Sequence, residues 1–379
     1  DVQPLGQHVD DLGVAAREGI EIIDFRHESG VVHAADAWAR VTRKPALSLV
    51  TGGPGHTNSL TGIATAQLNG TPVIAISGSR SSVVAERQAF QDIDQVNMAR
   101  PVVKWAGEPP TPGEVPFYLG RAYAEAVSGR MGVTHLTIPV NVFENEAANP
   151  RPLPSPPVAA ALEPSASQVD EALALVRNAG PPMVIGGSGA WWSGAEQSLQ
   201  RFIEQTQLPL FTITMGRGLV PDTHPLCFGY ADPAMNDGAL KAVKAADVVL
   251  LLGKRIDYRL ALGGPRFLPP GAKVIQVDLH RPELGMNRKR ELGICADVNA
   301  TLNAMLAAIG DKAWTAKPWL DEVRRLRQEW DATLESWASD QGSPIHPAAL
   351  FAAVKKAVPQ DTLFAWDGGD FVHWGRATM

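Results

Sequence analysis

The sequence predicts an α/β protein made of successive domains, each with a doubly wound parallel sheet. Between residues 168 and 310, short apolar segments alternate with helical segments, the order that produces a parallel sheet covered by helices on both faces. The 379 residues exceed what one hydrophobic core usually organises, so two or three domains are expected. Strand-like segments near the start end in charged or glycine-rich turns, where α/β proteins place their sites.

The first domain is predicted to span residues 1–143. A short apolar strand at residues 22–23 leads through Glu28 into a helix over residues 31–43, and a strand over residues 46–51 ends in a glycine-rich turn. Glu28 is therefore expected near the carboxyl edge of the sheet. The helix dipole alone also favours an acid in the first turn, so position by itself assigns Glu28 no role.

Residues 144–167 are predicted to form an extended, semi-rigid linker, because their prolines lack an N–H donor and have a fixed φ angle. A second domain follows over residues 168–310, with strands expected at residues 182–185, 209–212, 247–252 and 274–277. The run Gly186-Gly187-Ser188-Gly189 does not complete the dinucleotide-binding pattern G-x-G-x-x-G, because Trp192 occupies the last position. It is interpreted as a tight strand-to-helix turn.

The last part of the chain is predicted to contain a connection and the start of another domain. Residues 311–345 are assigned to the connection, with an amphipathic helix at residues 318–337 whose apolar stripe packs on a core. Residues 346–379 are expected to begin a third domain, with a helix at residues 347–358 and a strand at residues 363–367.

Composition excludes several classes of protein. Lys plus Arg number 34 and Asp plus Glu 40, and the net charge of −6 argues against nucleic-acid binding. No apolar run approaches the roughly 18 residues of a membrane span. Cys227 and Cys295 are isolated, which fits a reduced, cytoplasmic setting. Residues 1–11 have no apolar core, so we do not expect them to form a secretory signal.

Four segments follow one another in the first part of the chain: Arg26-His27-Glu28, Ala37-Trp38-Ala39-Arg40, Gly52-Gly53-Pro54-Gly55-His56-Thr57-Asn58 and Thr71-Pro72-Val73-Ile74-Ala75-Ile76-Ser77-Gly78. Together they resemble the pyrimidine-binding domain of thiamine-diphosphate-dependent enzymes. The resemblance is to the branch that contains acetolactate synthase, oxalyl-CoA decarboxylase and 2-hydroxyacyl-CoA lyase, and it runs through most of the chain.

This resemblance implies the thiamine-diphosphate-binding fold, with residues 1–143 as the pyrimidine-binding domain. Residues 168–310 correspond to the central domain, which holds FAD in many acetolactate synthases and ADP or CoA in oxalyl-CoA decarboxylases. Residues 346–379 correspond to the start of the diphosphate-binding domain. The family's Gly-Asp-Gly magnesium motif does not occur in the sequence, so we expect no metal ligands in this segment and a truncated third domain. The family's first strand and helix should precede Asp1, so the resemblance also implies a clipped N-terminus.

The resemblance assigns Glu28 to the family's catalytic glutamate, which contacts N1′ of the cofactor's aminopyrimidine. An acid hydrogen-bonded to N1′ favours the imino tautomer, whose 4′-nitrogen can take the proton from C2 of the thiazolium. The acid must hold or share a proton near neutral pH, and burial raises a carboxyl pKa in that direction. We therefore expect Glu28 to be buried.

Other site residues are also implied by the resemblance. The cofactor-binding set is Glu28, Gly53, Pro54 and Asn58. The residues expected to line the substrate channel are Phe90, Gln91, Lys104, Met215 and Gly216. The nucleotide- or CoA-binding set is Arg130, Arg255, Asp278, Asp297 and Val298. From the residues alone, the loop that contains Phe90 reads as a surface loop and each arginine as a member of a surface ion pair.

In the resembled family the two ends of the cofactor are held by different subunits. The resemblance therefore implies thiamine diphosphate with Mg²⁺, and a homodimer or homotetramer with shared active sites. It implies a small-molecule substrate, an acyl-CoA or a 2-keto acid.

Three functions remain open at this stage: a lyase or decarboxylase acting on a 2-hydroxyacyl-CoA or oxalyl-CoA, an acetolactate synthase, and a non-catalytic nucleotide-binding relative. The segment 229–237 lacks the methionine-rich run typical of acetolactate synthases, and Val140 follows Pro139 where those enzymes have Lys. Oxalyl-CoA decarboxylases have Tyr-Glu at the positions of Phe90 and Gln91. These departures favour a 2-hydroxyacyl-CoA lyase-like enzyme.

Overall fold

A computed structural model of the chain describes residues 17–155, 161–232 and 235–379. The chain divides into two compact units, residues 1–159 and 160–379. Across the described segments, no helix has both the length and the apolar character needed to cross a membrane.

The first unit is a parallel α/β sandwich. Its strands are β1 (Ala46–Val50), β2 (Val73–Ser79), β3 (Trp105–Gly107) and β4 (Val133–Pro139). Its helices are α1 (Glu28–Thr42), α2 (Pro54–Asn69), α3 (Gln95–Ala99), α4 (Val115–Val127) and α5 (Val140–Glu144). The strand order is β1-β2-β4-β3, and all the pairings are parallel.

The alternation of β2 explains why helices cover both faces of this sheet. Val73 and Ala75 pack in one cluster with apolar residues of α1 and α2. Ile74 and Ile76 point to the other face and pack with apolar residues of α4. Both faces of a central parallel strand are thus apolar, as expected for a doubly wound sheet.

The strand predicted at residues 22–23 is not formed. Residues 20–25 make no strand pairing, and Ile22 and Ile23 are 45% and 66% exposed. An apolar pair is insufficient for a strand unless a neighbouring strand accepts its backbone hydrogen bonds. The helix that follows begins at Glu28, earlier than predicted, and His27 caps it by accepting a hydrogen bond from the Ser29 N–H at 3.2 Å.

The second unit contains a larger parallel sheet with its helices, followed by three helices at the end of the chain. Its strands are β5 (Pro182–Gly186), β6 (Leu210–Thr212), β7 (Cys227–Tyr230), β8 (Val248–Leu252), β9 (Lys273–Val277) and β10 (Leu292–Ile294). Its helices are α6 (Ala166–Asn178), α7 (Ser188–Trp192), α8 (Glu196–Thr206), α9 (Asp237–Ala245), α10 (Val298–Ile309), α11 (Pro318–Ala338), α12 (Pro347–Ala357) and α13 (Gly369–Thr378).

The order of this sheet, β10-β9-β8-β5-β6-β7, places a switch in winding direction between β5 and β8. The chain moves outwards from β5 through β6 to β7, then returns to β8 and continues to the other edge. Ligands of open α/β sheets bind at the carboxyl ends of strands beside such a switch.

The strand predicted at residues 363–367 is also absent from the structure. This segment has no strand hydrogen bonds, and Leu363 is 96% exposed. Among the described residues no strand lies beside it as a partner, and an isolated strand leaves its backbone groups to water. The segment leads instead into α13.

Candidate functional site

Glu28 and Asn58 meet at the carboxyl edge of the first sheet. Glu28 is the first residue of α1, and Asn58 lies one turn into α2, just beyond the carboxyl end of β1. The Asn58 amide donates a hydrogen bond to Glu28 Oε2 at 3.1 Å. The two helices thus bring together two residues that are 30 positions apart in the sequence.

The turn between β1 and α2 passes close to the neighbouring strand. A Cβ on Gly52 would lie 2.6 Å from the carbonyl oxygen of Gly78, so only glycine fits there without displacing backbone. Gly53 has a φ of 61° and caps α2 without a side chain, and Pro54 occupies the first turn, where its missing N–H costs nothing. The result is an open backbone turn beside the Glu28 carboxylate.

The expected burial of Glu28 is not seen in this chain. Its side chain is partly exposed, and hydrogen bonds from its own backbone N–H and then from the Asn58 amide hold the pKa of the carboxyl below its usual value. Donors that stabilise the charged form outweigh desolvation here. The isolated chain therefore presents a carboxylate rather than a protonated acid.

Phe90 and Gln91 lie in a loop that covers the glycine turn. Gln91 has a left-handed backbone, with φ at 59°, and a Cβ on Gly53 would lie 2.8 Å from the Cβ of Gln91. Phe90 is 85% exposed. The loop is anchored by Arg80, whose Nε donates to Asp92 Oδ1 at 2.8 Å. The structure thus brings Gln91 to the predicted cofactor-binding turn and leaves Phe90 on the surface of this chain.

Lys104 lies at the opposite edge of the same sheet from Glu28. It precedes β3, and its backbone N–H donates to the carbonyl of Val133, where β4 begins. Its ammonium donates to the carbonyls of Ser128, at 2.7 Å, and Glu125, which end α4. Burial lowers the pKa of this ammonium. Lys104 caps a helix here and is not brought together with Phe90 and Gln91, the other channel residues predicted in the first unit.

Arg130 belongs to the same edge as Lys104. Its guanidinium donates to the carbonyl of Leu68 at 3.2 Å, near the end of α2. It lies in the first unit, whereas the other four residues predicted to bind a nucleotide lie in the second.

A buried polar network beneath the glycine turn was not found from the sequence. Gln95, 2% exposed, contacts the ends of β2 and β4 and the turn that follows β1. Beside it, His56 and His135 are 0% and 1% exposed, and their rings lie 4.5 Å apart. One sequence signal was available: Ser77 and Thr137 interrupt apolar strands at their carboxyl ends, where a buried hydroxyl requires a partner.

Both histidines are neutral at physiological pH. Burial lowers the pKa of His56 to about 4. Burial, and then the neighbouring His56, lower the pKa of His135 to about 3, and the Thr137 hydroxyl lies 2.9 Å from its Nε2. A charged imidazole would have no water around it at this position, so the neutral form is favoured.

The second unit gathers predicted site residues at the carboxyl edge of its own sheet. Met215 and Gly216 follow β6, and Gly216 packs so tightly on β5 that a side chain there would meet the carbonyl of Gly186. Arg255 follows β8, and its guanidinium lies 4.0 Å from Glu283 Oε1. These positions flank the β5–β8 switch on both sides.

The remaining predicted residues of this edge have structural contacts. Asp278 follows β9 and accepts a hydrogen bond from the His280 N–H at 2.9 Å. Asp297 caps α10 by accepting from the Ala300 N–H at 2.9 Å, and Val298 is buried in the core. One carboxylate oxygen of Asp297 is therefore used to cap the helix, as is common for an Asp at the N-cap position.

This edge also carries Lys254, a cation that was not identified from the sequence. It is 3% exposed, and its ammonium lies 2.6 Å from Asp257 Oδ2. Burial lowers the pKa of the ammonium. Its position two residues after the apolar strand β8 was the available signal. Arg259, five residues further on, lies 3.8 Å from Asp232, so the segment after β8 carries several cations paired with carboxylates.

Metal ligation is not indicated in either described unit. Over residues 17–155, 161–232 and 235–379, no group of three or more His, Cys, Asp or Glu side chains is arranged to hold a metal ion.

Two family matches fall in the chain, one in each of the two units. Residues 5–98 match the family described as the N-terminal TPP binding domain of thiamine pyrophosphate enzymes. Residues 169–305 match the family described as the central domain of the same enzymes. TPP is thiamine pyrophosphate, the same compound as thiamine diphosphate.

Three curated proteins illustrate the similarity. The chain is 31% identical to human 2-hydroxyacyl-CoA lyase 1 over 385 residues, covering 99% of this chain and 65% of that protein. It is 32% identical to oxalyl-CoA decarboxylase of Escherichia coli K12 over 358 residues, covering 92% and 61%. It is 30% identical to acetolactate synthase large subunit IlvG of Mycobacterium tuberculosis over 355 residues, covering 93% and 63%. The chain spans less than two thirds of each of these relatives.

Proposed function

Because this chain belongs to the thiamine pyrophosphate enzyme family, with that family's N-terminal and central domains, we propose that it forms part of a thiamine-diphosphate-dependent carbon–carbon lyase. The substrate class is a 2-hydroxyacyl-CoA or an oxalyl-CoA type thioester. The observation that carries the proposal is the Asn58–Glu28 pair beside a turn that only glycine can form.

The residues at this turn fit the aminopyrimidine end of the cofactor. A Cβ on Gly55 would lie 3.6 Å from Glu28 Oε1, so the missing side chain leaves the carboxylate accessible from the turn. Glu28 would hold N1′, and Asn58 would fix the orientation of the carboxylate. Bound thiamine diphosphate supplies an electron sink for the bond that is broken.

The acid–base behaviour of Glu28 is expected to change on binding. An aromatic ring placed against the carboxylate would remove water and shift its pKa upwards from the lowered value of the isolated chain. Glu28 could then hold and return a proton at N1′ near neutral pH, as a general acid–base catalyst requires.

The central domain is proposed to bind the adenine nucleotide part of a ligand: CoA, ADP or FAD. The cations after β8 and the acids after β9 and β10 support this site, represented by Arg255, Asp278 and Asp297. Arginine suits phosphate because its planar fork can bond two oxygens, and a strand-end acid can accept from ribose hydroxyls.

The assembly is proposed to be a homodimer or homotetramer in which another subunit holds the diphosphate with Mg²⁺. Support comes from the position of Glu28, which serves only the pyrimidine end. The free thiols Cys227 and Cys295 support the cytoplasm as the compartment.

The test uses the full-length protein that carries this chain. Thiamine diphosphate binding is measured by calorimetry with Mg²⁺, and turnover is measured with a 2-hydroxyacyl-CoA, with oxalyl-CoA and with pyruvate. Cleavage of one of the two thioesters is expected. Acetolactate formation from pyruvate as the sole activity would replace the proposal with the synthase function. Failure to bind thiamine diphosphate would refute both.

A further inference from the structure

Gln95 connects three parts of the first sheet's carboxyl edge through one side chain. It is the first residue of α3 and follows the loop that contains Gln91. Its side-chain oxygen accepts a hydrogen bond from the Gly53 N–H at 2.7 Å. Its amide nitrogen donates to Ser77 Oγ and to the Gly78 carbonyl, both at 3.0 Å, and Thr137 Oγ1 lies at 3.4 Å.

These contacts fix which way round the Gln95 amide lies. The Gly53 N–H can only donate, so the group facing it must be the amide oxygen. The Gly78 carbonyl can only accept, so the group facing it must be the amide nitrogen. Both ends of the amide are used and the side chain is buried, so it has one orientation and little freedom.

Gly53 has no side chain to fix its position, and no other residue fits there. Its φ of 61° disfavours other residues, and a Cβ would meet Gln91. Its buried N–H would lack a partner without Gln95. Two residues therefore hold Gly53 in place: Gln91 packs against it, and Gln95 accepts a hydrogen bond from its N–H.

We propose that Gln95 is a positioning residue for the thiamine diphosphate site, acting through Gly53 on the first turn of α2. Asn58, which holds the Glu28 carboxylate, follows that turn directly in the same helix. Displacement of the turn moves Asn58 and releases Glu28, although Gln95 itself touches neither. This inference rests on the proposed function, because it names what keeps the pyrimidine end of that site in place.

The experiment compares two buried glutamines in the full-length protein. Gln95→Met removes the amide and keeps the length of the side chain. The matched control is Gln276→Met: Gln276 is 0% exposed in the second sheet, accepts from the Gly285 N–H at 3.0 Å and donates to the Glu283 carbonyl at 3.2 Å. Both variants lose a buried amide, but only one of these amides contacts Gly53.

Two measurements are made on each variant. Calorimetry gives the Kd for thiamine diphosphate, and hydrogen exchange with mass spectrometry gives the protection of the amides at residues 52–58. For Gln95→Met we expect a Kd raised about 10-fold, equivalent to about 1.4 kcal/mol, and faster exchange at Gly53. For Gln276→Met we expect neither change. Gln95→Glu keeps an acceptor for the Gly53 N–H and should restore part of the protection.

Failure of the inference and failure of the proposed function give different results. Equal Kd values and equal exchange at Gly53 in the two methionine variants would overturn the role of Gln95 while leaving thiamine binding intact. A wild-type protein that binds no thiamine diphosphate would overturn the proposed function, and with it this role. If Gln95→Met does not fold, Gln95→Glu takes its place. For that variant, an unchanged Kd for thiamine diphosphate together with lost protection at Gly53 would also count against the role of Gln95.

Discussion

The carboxyl edges of the two sheets carry different side chains on the same parallel architecture. Below the glycine turn, the first edge buries a neutral amide and two neutral imidazoles, and it presents one carboxylate, Glu28. The second edge buries an ammonium, Lys254, and places Arg255 and Arg259 beside carboxylates. A parallel sheet decides where a site lies, and the residues after each strand decide what it can bind.

The largest effect is expected at the carboxylate of the first edge. Glu28→Gln is nearly isosteric and should leave the fold intact, yet it should lower kcat by about 100-fold or more, because a positioned proton-transfer group is lost. Steady-state kinetics on the full-length enzyme measure this. Glu171→Gln, on an exposed face of α6, is the control and should keep wild-type kcat. Wild-type kcat in Glu28→Gln would remove Glu28 from the mechanism.

At the second edge, loss of a cation should lower ligand affinity. Arg255→Ala should weaken binding of CoA, ADP or FAD by about 1–3 kcal/mol, because a charge-assisted hydrogen bond to phosphate is removed. Titration calorimetry with each ligand measures the change, and exposed Arg201→Ala in α8 serves as the control. Unchanged affinity for all three ligands would refute the phosphate role, and a matching loss in Arg201→Ala would show a general charge effect.

The two buried histidines should make the stability of the first unit depend on pH. The pKa values of His56 and His135 are lowered from 6.5 to about 4 and about 3, so the unfolded state binds more protons below pH 6.5. The free energy of unfolding should therefore fall as the pH falls from 6.5 towards 4, by up to about 1.4 kcal/mol per pH unit for each histidine.

Chemical denaturation at pH 7, 6 and 5 measures this slope. His135→Gln should reduce it by about half, whereas His33→Asn, exposed on α1, should leave it unchanged. The same slope in His135→Gln as in the wild type would show that His135 is not the source.

The smallest effect is expected at the amino edge of the first sheet. Lys104→Met should lower the free energy of unfolding by about 1 kcal/mol, because the carbonyls that end α4 lose a donor. The Kd for thiamine diphosphate should not change, since Lys104 lies at the edge away from Glu28. A raised Kd for thiamine diphosphate with wild-type stability would show that Lys104 acts at the cofactor site and not as a helix cap.

The sequence by itself determined the α/β class, the parallel order of elements and the position of Glu28 just ahead of a helical segment. These follow from local pattern: apolar runs of strand length, glycine turns and an acid before an alanine-rich segment. It did not determine whether an apolar segment forms a strand. Residues 22–23 and 363–367 are apolar enough, but strand formation requires a neighbouring strand to pair with.

Only the tertiary structure decided which polar residues share an edge. The family resemblance implied a site role for both Lys104 and Glu28, yet β3 starts at one edge of the sheet and α1 at the other, so the two are separated. Conversely, Gln95 lies in a segment that reads as a surface loop in the sequence. Its hydrogen bond to Gly53, 42 residues away, exists because the fold brings the ends of β1, β2 and β4 together around it. Hydrogen bonds between distant segments depend on sheet order and register, which local propensity does not encode.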